Sequence, residues 1–349
     1  MSPARKTTDL EEPDRIEGQP HPREVYDLIG QDDALTRASR SIRSGRPPHG
    51  MMLAGPAGIG KATLAYRIAR YVLRYGAKAD GPADLSVPSN DLVSRRIEAQ
   101  SHPGLLVLKR PRDEKTGRLK TVVSVDEIRR LGGFFGLTSA GGDWRVAIID
   151  AADDMNDNAA NALLKVLEEP PARSLLILIT HAPGRQLPTI RSRSRRIDLK
   201  PLDDAVLTVA LGKRLPDASA EDRAALVRLS EGSLGLALQL AEEDGVEFAH
   251  QAEALIGART PDVKALLALA ERVGRAQDGV KHFGDLLSRA LSRRIRARAA
   301  IGEADDRSVA LWEHVAQLYE RALEVHMEPR QTVISSGIAI AGARRSGSL

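Results

Sequence analysis

The sequence predicts an α/β domain built on a parallel sheet, followed by a region that is helical throughout. The first observation is a phosphate-loop pattern, Gly-x-x-x-x-Gly-Lys, which runs from Gly55 to Lys61 between a predicted strand and a predicted helix. The second is that apolar strands alternate with helices as far as Thr180, as in a sheet with right-handed crossovers and helices on both faces. The third is that strand patterns cease beyond Pro201.

Each element of the α/β region follows from its local pattern. Short apolar runs predict buried strands, and apolar residues at three- and four-residue spacing predict helices. Ser124 and Glu127 form a capping-box pattern that predicts a helix start. Pro170 and Pro171 end a helix, and residues 76–104, rich in Gly, Pro, Asp and Ser, predict a long connection. The predicted strands are 50–54, 105–109, 146–150 and 175–180, and the predicted helices are 32–44, 61–75 and 157–168.

The helical region falls into two parts. Residues 203–245 carry three short helical patterns with a break at Gly232 and Ser233, and residues 250–349 carry longer ones. We expect the last part to hold Trp312, Leu318 and Leu323 in its core. The predicted division is a disordered tail at 1–20, an α/β domain at 21–200, a small helical domain at 201–247 and a larger helical domain at 248–349.

Composition excludes several classes of function. The chain has 349 residues, of which 51 are Lys or Arg and 47 are Asp or Glu, so a mixed-charge surface is favoured over a strongly nucleic-acid-binding one. Aromatic residues make up only 3%, which argues against base-stacking platforms. The sequence has no cysteine, no leader pattern and no apolar run near the ~18 residues of a membrane span, so we expect a cytoplasmic protein without a membrane partner.

The phosphate loop has the residues to hold phosphate but not the magnesium ion. Its glycines let backbone N–H groups surround a phosphate, and Lys61 would reach the outer phosphates. Position 62 is Ala62 where a Ser or Thr hydroxyl would bind Mg²⁺, and the hydroxyl of Thr63 is rotated by ~100°. We therefore expect at most weak ATP binding. The candidate nucleotide-site residues are Gly55, Gly58, Gly60, Lys61, Thr63 and Asp150.

Taken in order, the motifs resemble the clamp-loader family of AAA+ proteins over about residues 24–345. They are the phosphate loop, a strand ending in Asp150, the Asn-Ala-Leu-Leu-Lys-Val-Leu-Glu-Glu-Pro-Pro segment at 161–171, and Ser192-Arg193-Ser194. The resemblance implies a P-loop AAA+ domain at 21–200, a helical lid at 201–247 and a helical collar at 248–349 that joins the subunits of a ring.

Two departures from the family pattern concern ATP hydrolysis. The residue after Asp150 is a Glu that polarises water in the family, but it is Ala151 here, and Asp153, Asp154 and Asp157 are assigned to helix capping and the helix dipole. The lid arginine of a Gly-Ser-x-Arg segment is replaced by Gly235. With Ala62, three catalytic positions fail together, so we expect no rapid hydrolysis by this chain.

The Ser192-Arg193-Ser194 triplet resembles the family's Ser-Arg-Cys motif, whose arginine acts on the ATP site of a neighbouring subunit. Such a guanidinium stabilises charge on the phosphate oxygens in the transition state. The resemblance thus makes Arg193 a catalytic residue in trans, with Ser194 in a small packed position. The alternative is that the arginines at 191–196 form a solvated basic loop.

The family's zinc module is not expected. It requires four cysteines after the helix that follows the phosphate loop, whereas residues 76–104 contain none, and His102 alone cannot hold a structural zinc. A dense basic run lies at 289–298, where Leu286, Leu287, Ala290 and Ile295 supply an apolar face. A solvated helix surface is favoured there, and a DNA or partner contact is the alternative.

The resemblance implies a largely non-hydrolysing subunit of a DNA polymerase assembly. Its partners would be the gamma/tau ATPase subunits and a delta subunit, with the sliding clamp and primed DNA contacted indirectly. It requires no cofactor. Two alternatives stay open: a competent ATPase subunit of the same fold, and an AAA+-like adaptor unrelated to replication.

Overall fold

The chain folds into two compact units, residues 1–238 and 239–349. A computed structural model describes residues 16, 18–112, 120, 122–136, 143–242, 245–258, 260, 262–276, 279–303, 305–325, 327–347 and 349. The predicted tail at 1–20 lies mostly outside the described residues, and the division of the chain into lid and collar stays a prediction. In the described part of the chain no helix is long and apolar enough to cross a membrane.

The first unit is built on a five-stranded sheet whose strands are all parallel, as the sequence predicts. The strands are β1 (Gly50–Ala54), β2 (Leu105–Leu108), β3 (Arg145–Asp150), β4 (Ser174–Thr180) and β5 (Ser194–Asp198). Their order across the sheet is β2-β3-β4-β1-β5. The sequence did not predict β5, because Arg195 and Arg196 are exposed on this edge strand and only Ser194 and Ile197 are buried.

Helices cover both faces of the sheet, because successive strand residues point to opposite sides. One layer packs on Met51 and Leu53 and the other on Met52. The first layer is α1 (Asp32–Ile42), α2 (Lys61–Tyr75) and α3 (Leu92–Glu98), and the second is α4 (Val125–Gly136) and α5 (Asp157–Glu168). Helix α3 lies inside the predicted long connection; the Asp91 side chain caps it by accepting a hydrogen bond from the backbone N–H of Val93, 2.8 Å away.

Short helices complete the first unit. They are α6 (Pro188–Arg193), α7 (Asp204–Arg214), α8 (Ala220–Ser230) and α9 (Leu234–Leu240), the last of which continues across the boundary between the two units. At the predicted break between α8 and α9, Gly232 packs so closely against the backbone of Leu202 that only glycine fits. Gly232 has a φ of 78°, and a Cβ there would lie 2.6 Å from the carbonyl oxygen of Leu202.

The second unit is helical in all its described elements. They are α10 (Gly245–Gly257), α11 (Val263–Arg275), α12 (Gly279–Ala300), α13 (Asp306–Val325) and α14 (Pro329–Arg345). Three aromatic rings meet in its core: Phe283 lies 5.9 Å from Phe248 and 6.2 Å from Tyr319, measured between ring centroids. Gly284 allows the close approach of α13, since a Cβ there would lie 2.5 Å from the Tyr319 ring.

The predicted core residues of α13 are on the wrong face. Leu323 is 43% exposed and Trp312 is 36% exposed, with its indole N–H donating to the Ser288 carbonyl over 3.1 Å; Leu318 is only half-buried. The face that packs inward follows three- and four-residue spacing from a different starting point. Its buried apolar residues are Leu311, Val315, Tyr319 and Ala322.

The basic run on α12 is partly engaged within its own unit. Arg293 pairs with Glu253 at 2.6 Å, and Arg298 donates to the Gly347 carbonyl over 3.3 Å. Leu287 and Ala290 are buried and Ile295 is half-buried, which agrees with the predicted apolar face. For the other cations the solvated surface stays the prediction, and a contact with DNA or a partner stays the alternative.

The buried face assigned to α13 can be tested with two leucines of this helix. Leu311→Ala should lower the free energy of unfolding of the second unit by about 2–5 kcal/mol, because it leaves a cavity, whereas Leu323→Ala should change it by less than about 1 kcal/mol. The chain has two tryptophans, so a Trp144→Phe background leaves Trp312 as the fluorescent reporter of this unit in urea unfolding. Equal losses for the two variants would contradict the assignment.

Candidate functional site

The phosphate loop has the backbone shape that the sequence predicts. It follows β1 at the carboxyl edge of the sheet, the edge at which parallel sheets bind ligands. Gly55, Gly58 and Gly60 have φ values of 145°, 76° and 101°, which only glycine adopts readily. A Cβ on Gly55 would lie 2.5 Å from the Leu199 carbonyl oxygen. Helix α2 then starts at Lys61.

The lysine of this loop is folded back onto the loop itself. Lys61 is only 3% exposed, and its ammonium donates to the carbonyl oxygens of Gly55 and Pro56 at 2.7 and 2.5 Å. Burial lowers the pKa of Lys61 to about 8, although the carboxylates of Asp150 and Asp153 act to raise it. The residue that would hold the outer phosphates therefore satisfies its hydrogen bonds internally.

Residues 233–235, at the start of α9, contact the phosphate loop directly. The Ser233 hydroxyl donates to the Ala57 carbonyl over 2.9 Å, and the Gly235 N–H donates to the Gly58 carbonyl over 2.8 Å. A Cβ on Gly235 would lie 2.7 Å from the Gly58 Cα, so an arginine at 235 does not fit this packing. The sequence showed that the lid arginine was missing but gave no signal of this contact.

A buried glutamine joins the same loop to the end of β5. The Gln31 amide donates to the carbonyls of Ile59 and Lys200 at 3.2 and 2.7 Å, and its oxygen accepts from the Lys200 N–H at 3.2 Å. Gln31 is 4% exposed. Sequence analysis missed it, because a polar residue just before a helix has no pattern that marks it as buried.

The acidic end of β3 retains only part of a catalytic arrangement. Asp150 ends the strand half-buried and electrostatically close to Lys61, whereas the next residue, Ala151, presents a buried methyl group instead of a carboxylate. Thr63 lies half-buried in the first turn of α2. The site thus brings together the loop, Lys61 and Asp150, but offers neither hydroxyl at 62 nor carboxylate at 151.

Two of the three nearby acids do not cap a helix as predicted, although Asp153 and Asp154 stand in the first turn of a 3₁₀ helix, Ala152–Asp154. Asp153 accepts from the Thr180 hydroxyl at 2.8 Å and from the His181 N–H at 2.6 Å, so it fixes the end of β4. Asp154 pairs with Arg110 at 3.3 Å, and burial raises its pKa. The cap of α5 is Asn156, as follows from its hydrogen bond with the Ala159 N–H at 2.9 Å. Asp157 stands in the first turn of α5 itself.

Arg193 lies far from this loop. It ends α6, and the next residue, Ser194, pairs with Gly50 at the start of β1, whereas the phosphate loop follows the other end of that five-residue strand. The two sites are therefore separated by the length of β1, roughly 16 Å. The Arg193 guanidinium pairs with Glu168 at 3.1 Å, and its side chain is 38% exposed. Arg193 cannot serve the phosphate loop of its own chain.

Ser194, in the family's cysteine position, is small and packed as expected. It is 9% exposed, and its hydroxyl finds no hydrogen-bond partner among the described residues. His102 is engaged locally, because its Nδ1 accepts from the Gly104 N–H at 3.1 Å. No group of three or more potential metal ligands is found among the described residues, and the expectation of no zinc stays a prediction.

Comparison with known proteins places this arrangement in a family. A family model described as DNA polymerase III, delta subunit, matches residues 30–203. The delta′ subunit of DNA polymerase III from Pseudomonas aeruginosa is 39% identical over 186 residues. Over the matched residues the chain belongs to the delta and delta′ clamp-loader family of DNA polymerase III. This confirms the resemblance that the motifs predict and the AAA+ α/β fold of the first unit.

Further delta′ and tau proteins share the similarity. The delta′ subunit of Escherichia coli is 30% identical over 204 residues, and the tau subunit of Salmonella typhimurium is 29% identical over 291 residues. The match to the Escherichia coli delta′ subunit covers 58% of this chain, and the match to the Salmonella typhimurium tau subunit covers 81%. The match to the Pseudomonas aeruginosa delta′ subunit covers 53% of this chain. The chain spans little more than half of the length of the two delta′ relatives, at 53% and 58%, and 42% of the tau relative.

Solved structures show only a loose overall likeness. A RuvB variant of Thermotoga maritima covers 92% of each chain with 17% identity and a TM-score of 0.45. This value is too low to support an argument. The assignment to the family rests on the sequence matches, and the fold on the sheet order and the phosphate loop.

The buried lysine gives a prediction about pH. Because the folded state lowers the pKa of Lys61 to about 8 from 10.5, the unfolded chain binds this proton more tightly. The cost of burying the charge is fully present below about pH 8 and is lost as the pH rises to about 10.5. The unfolding free energy of wild-type protein should therefore rise by up to about 3 kcal/mol over this window relative to Lys61→Met. Urea unfolding of both proteins, each with Trp312→Phe so that Trp144 reports, measures the difference; parallel pH curves would contradict it.

Proposed function

We propose that this chain is the delta′ subunit of a DNA polymerase III clamp loader, a largely non-hydrolysing scaffold that supplies Arg193 in trans to a neighbouring gamma/tau ATPase. One observation carries the proposal. The chain's own phosphate loop is occupied by Lys61 and the lid, while an accessible arginine stands at the opposite edge of the same sheet.

The non-hydrolysing role is supported by chemistry and by packing. Ala62 supplies no oxygen ligand for Mg²⁺, and Ala151 supplies no carboxylate to polarise water. The contacts from Ser233 and Gly235 hold the lid on the loop, so phosphates would have to displace backbone hydrogen bonds. At most weak ATP binding is expected, and no cofactor is required.

The role in trans is supported by the accessibility of Arg193. Its only ion pair among the described residues is with Glu168, and both side chains are well exposed, so solvent screens the pair and exchange for another anion has a low cost. The terminal phosphate of an ATP bound to a neighbouring subunit would offer more negative charge to Arg193 than Glu168 does. An arginine contributed in trans can accelerate phosphoryl transfer by ~10³–10⁵.

The partners follow from the relatives. We expect gamma/tau ATPase subunits and a delta subunit as direct neighbours, the sliding clamp and primed DNA as indirect partners, and a cytoplasmic location. The function would be to load the sliding clamp on primed DNA during chromosomal replication. The second candidate is an active ATPase subunit, which is favoured by the retention of Lys61 and Asp150 and by the match to a tau subunit over 81% of this chain.

Restoring two of the three missing groups distinguishes these candidates. The double variant Ala62→Thr, Ala151→Glu should still show no ATP turnover above background as an isolated chain, because Lys61 and the lid remain on the loop. Titration with a fluorescent ATP analogue should likewise show no binding by wild-type protein below about 1 mM. Turnover by the isolated double variant would show that the packing is not inhibitory, and turnover by wild-type protein would favour the active ATPase.

The arginine is tested by primed-DNA-stimulated ATP hydrolysis in an assembly reconstituted with gamma/tau, delta and clamp. Arg193→Ala should remove the turnover of the ATPase site that it completes, with the assembly intact in size exclusion. Arg195→Ala removes an exposed positive charge two residues away and is the matched control, so its turnover should equal that of wild-type.

Each other outcome has a distinct meaning. Unchanged turnover for Arg193→Ala would leave only the scaffold role. A failure of wild-type protein to assemble would favour an adaptor unrelated to replication. If Arg195→Ala lost as much turnover as Arg193→Ala, the basic-loop alternative would be supported.

A further inference from the structure

One segment of the first unit connects the two edges of the sheet. It leaves β4 at Thr180, beside the end of β1 and the phosphate loop, and passes through residues 181–187. It then returns along α6 to Arg193, where β5 starts beside the beginning of β1. The position of Arg193 therefore depends on how this connection is held at its other end.

Asp153, which belongs to a different segment, accepts hydrogen bonds from four groups of this connection. Its Oδ1 accepts from the Thr180 hydroxyl at 2.8 Å, from the Ala182 N–H at 3.1 Å and from the Gln186 amide at 3.3 Å. Its Oδ2 accepts from the His181 N–H at 2.6 Å. Only a carboxylate can accept at both oxygens in this way, because an asparagine has an amide donor in place of one of them.

Two of these four donors are buried and depend on Asp153. Thr180 has no exposed surface, and Gln186 is 7% exposed. A buried donor that loses its acceptor is unfavourable, so the segment would shift to find another partner. Gln186 lies two residues before Pro188, the first residue of α6, so such a shift reaches the start of this helix.

Helix α6 transmits the shift to Arg193. Ile190 is fully buried and holds the middle of this six-residue helix in the core of the first unit. Leu187 lies three residues before Ile190 and Arg193 three residues after it, which is about 4.5 Å in each direction along a helix. A displacement of the start of α6 about this fixed point is therefore matched by one of similar size at Arg193.

The position of Asp153 in the sequence suggests a different role. It follows Asp150 by three residues, at the edge where a nucleotide would bind. Every hydrogen bond that its carboxylate accepts in the described part of the chain nevertheless comes from residues 180–186. The carboxylate is thus committed to the connection that leads to Arg193.

We propose that Asp153 is a positioning residue for Arg193, because it fixes the start of the connection and thereby the place of the guanidinium at its end. This inference rests on the proposed function, in which Arg193 acts on the ATP site of a neighbouring subunit. It gives the acidic corner of a non-hydrolysing chain a task in the reaction of its neighbour.

The test is primed-DNA-stimulated ATP hydrolysis by the reconstituted assembly, and the signal is the part of the turnover that Arg193→Ala removes. Asp153→Ala should lower this part at least about tenfold, because a displacement of about 1 Å in a catalytic group can cost about 100-fold. Asp153→Asn keeps one acceptor oxygen and should lower it less. Asp157→Ala removes the same charge at a nearby exposed position and should leave turnover at the wild-type level.

Two readouts separate positioning from a general structural role. The double variant Asp153→Ala, Arg193→Ala should lose no more turnover than Arg193→Ala alone, since a residue that acts only through the guanidinium has no effect once it is gone. In the isolated chain, the backbone N–H groups of His181 and Ala182 should exchange with deuterium faster in Asp153→Ala than in wild-type protein.

The outcomes distinguish this inference from the proposed function. Unchanged turnover for Arg193→Ala would remove both. If Arg193→Ala loses turnover while Asp153→Ala and Asp153→Asn match wild-type, the proposed function stands and the positioning role is overturned. A further loss in the double variant, or unchanged exchange at His181 and Ala182, would also overturn it. If Asp153→Ala does not assemble, Asp153→Asn decides in the same way, alone and combined with Arg193→Ala.

Discussion

The contact between the backbones of Gly58 and Gly235 constrains much of the first unit. It permits the Ser233 hydroxyl to donate to the Ala57 carbonyl, and it holds residues 233–235 against a loop whose lysine donates to the carbonyls of that same loop. A side chain at either position would separate the two segments. Glycine at 235 is therefore what allows residues 233–235 to pack against the loop.

The sheet supplies the second constraint. Its parallel strands put every strand's carboxyl end on one edge, where the phosphate loop, Asp150 and Thr180 gather, and every amino end on the other, where Arg193 lies beside Ser194. Asp153 and Gln31 then fix the loops of the first edge with buried or half-buried hydrogen bonds. The departures at Ala62 and Ala151 lie at the first edge and leave the pairing of β1 and β5 at the second unchanged.

Local sequence patterns predicted most of the helices and strands correctly. Contacts between segments that are distant in the sequence were not predicted. The phosphate loop, four of the strands and the helices around them follow from short apolar runs, glycines and capping residues. Strand β5 was missed because it is an edge strand with exposed arginines, and the core face of α13 was misassigned because Trp312 and Leu323 are apolar yet lie outside the packed stripe. The Ser233 and Gln31 contacts span 176 and 169 residues, so no local pattern could show them.

Arg193 and the phosphate loop lie at opposite ends of β1, and this affects the number of working nucleotide sites in a ring of subunits. In a row of subunits that meet head to tail, each boundary needs one open nucleotide site and one arginine from the next subunit. Under the proposed function this chain supplies the second and not the first, so it completes one boundary and ends the row. A ring that includes it has a fixed polarity, with fewer working sites than members.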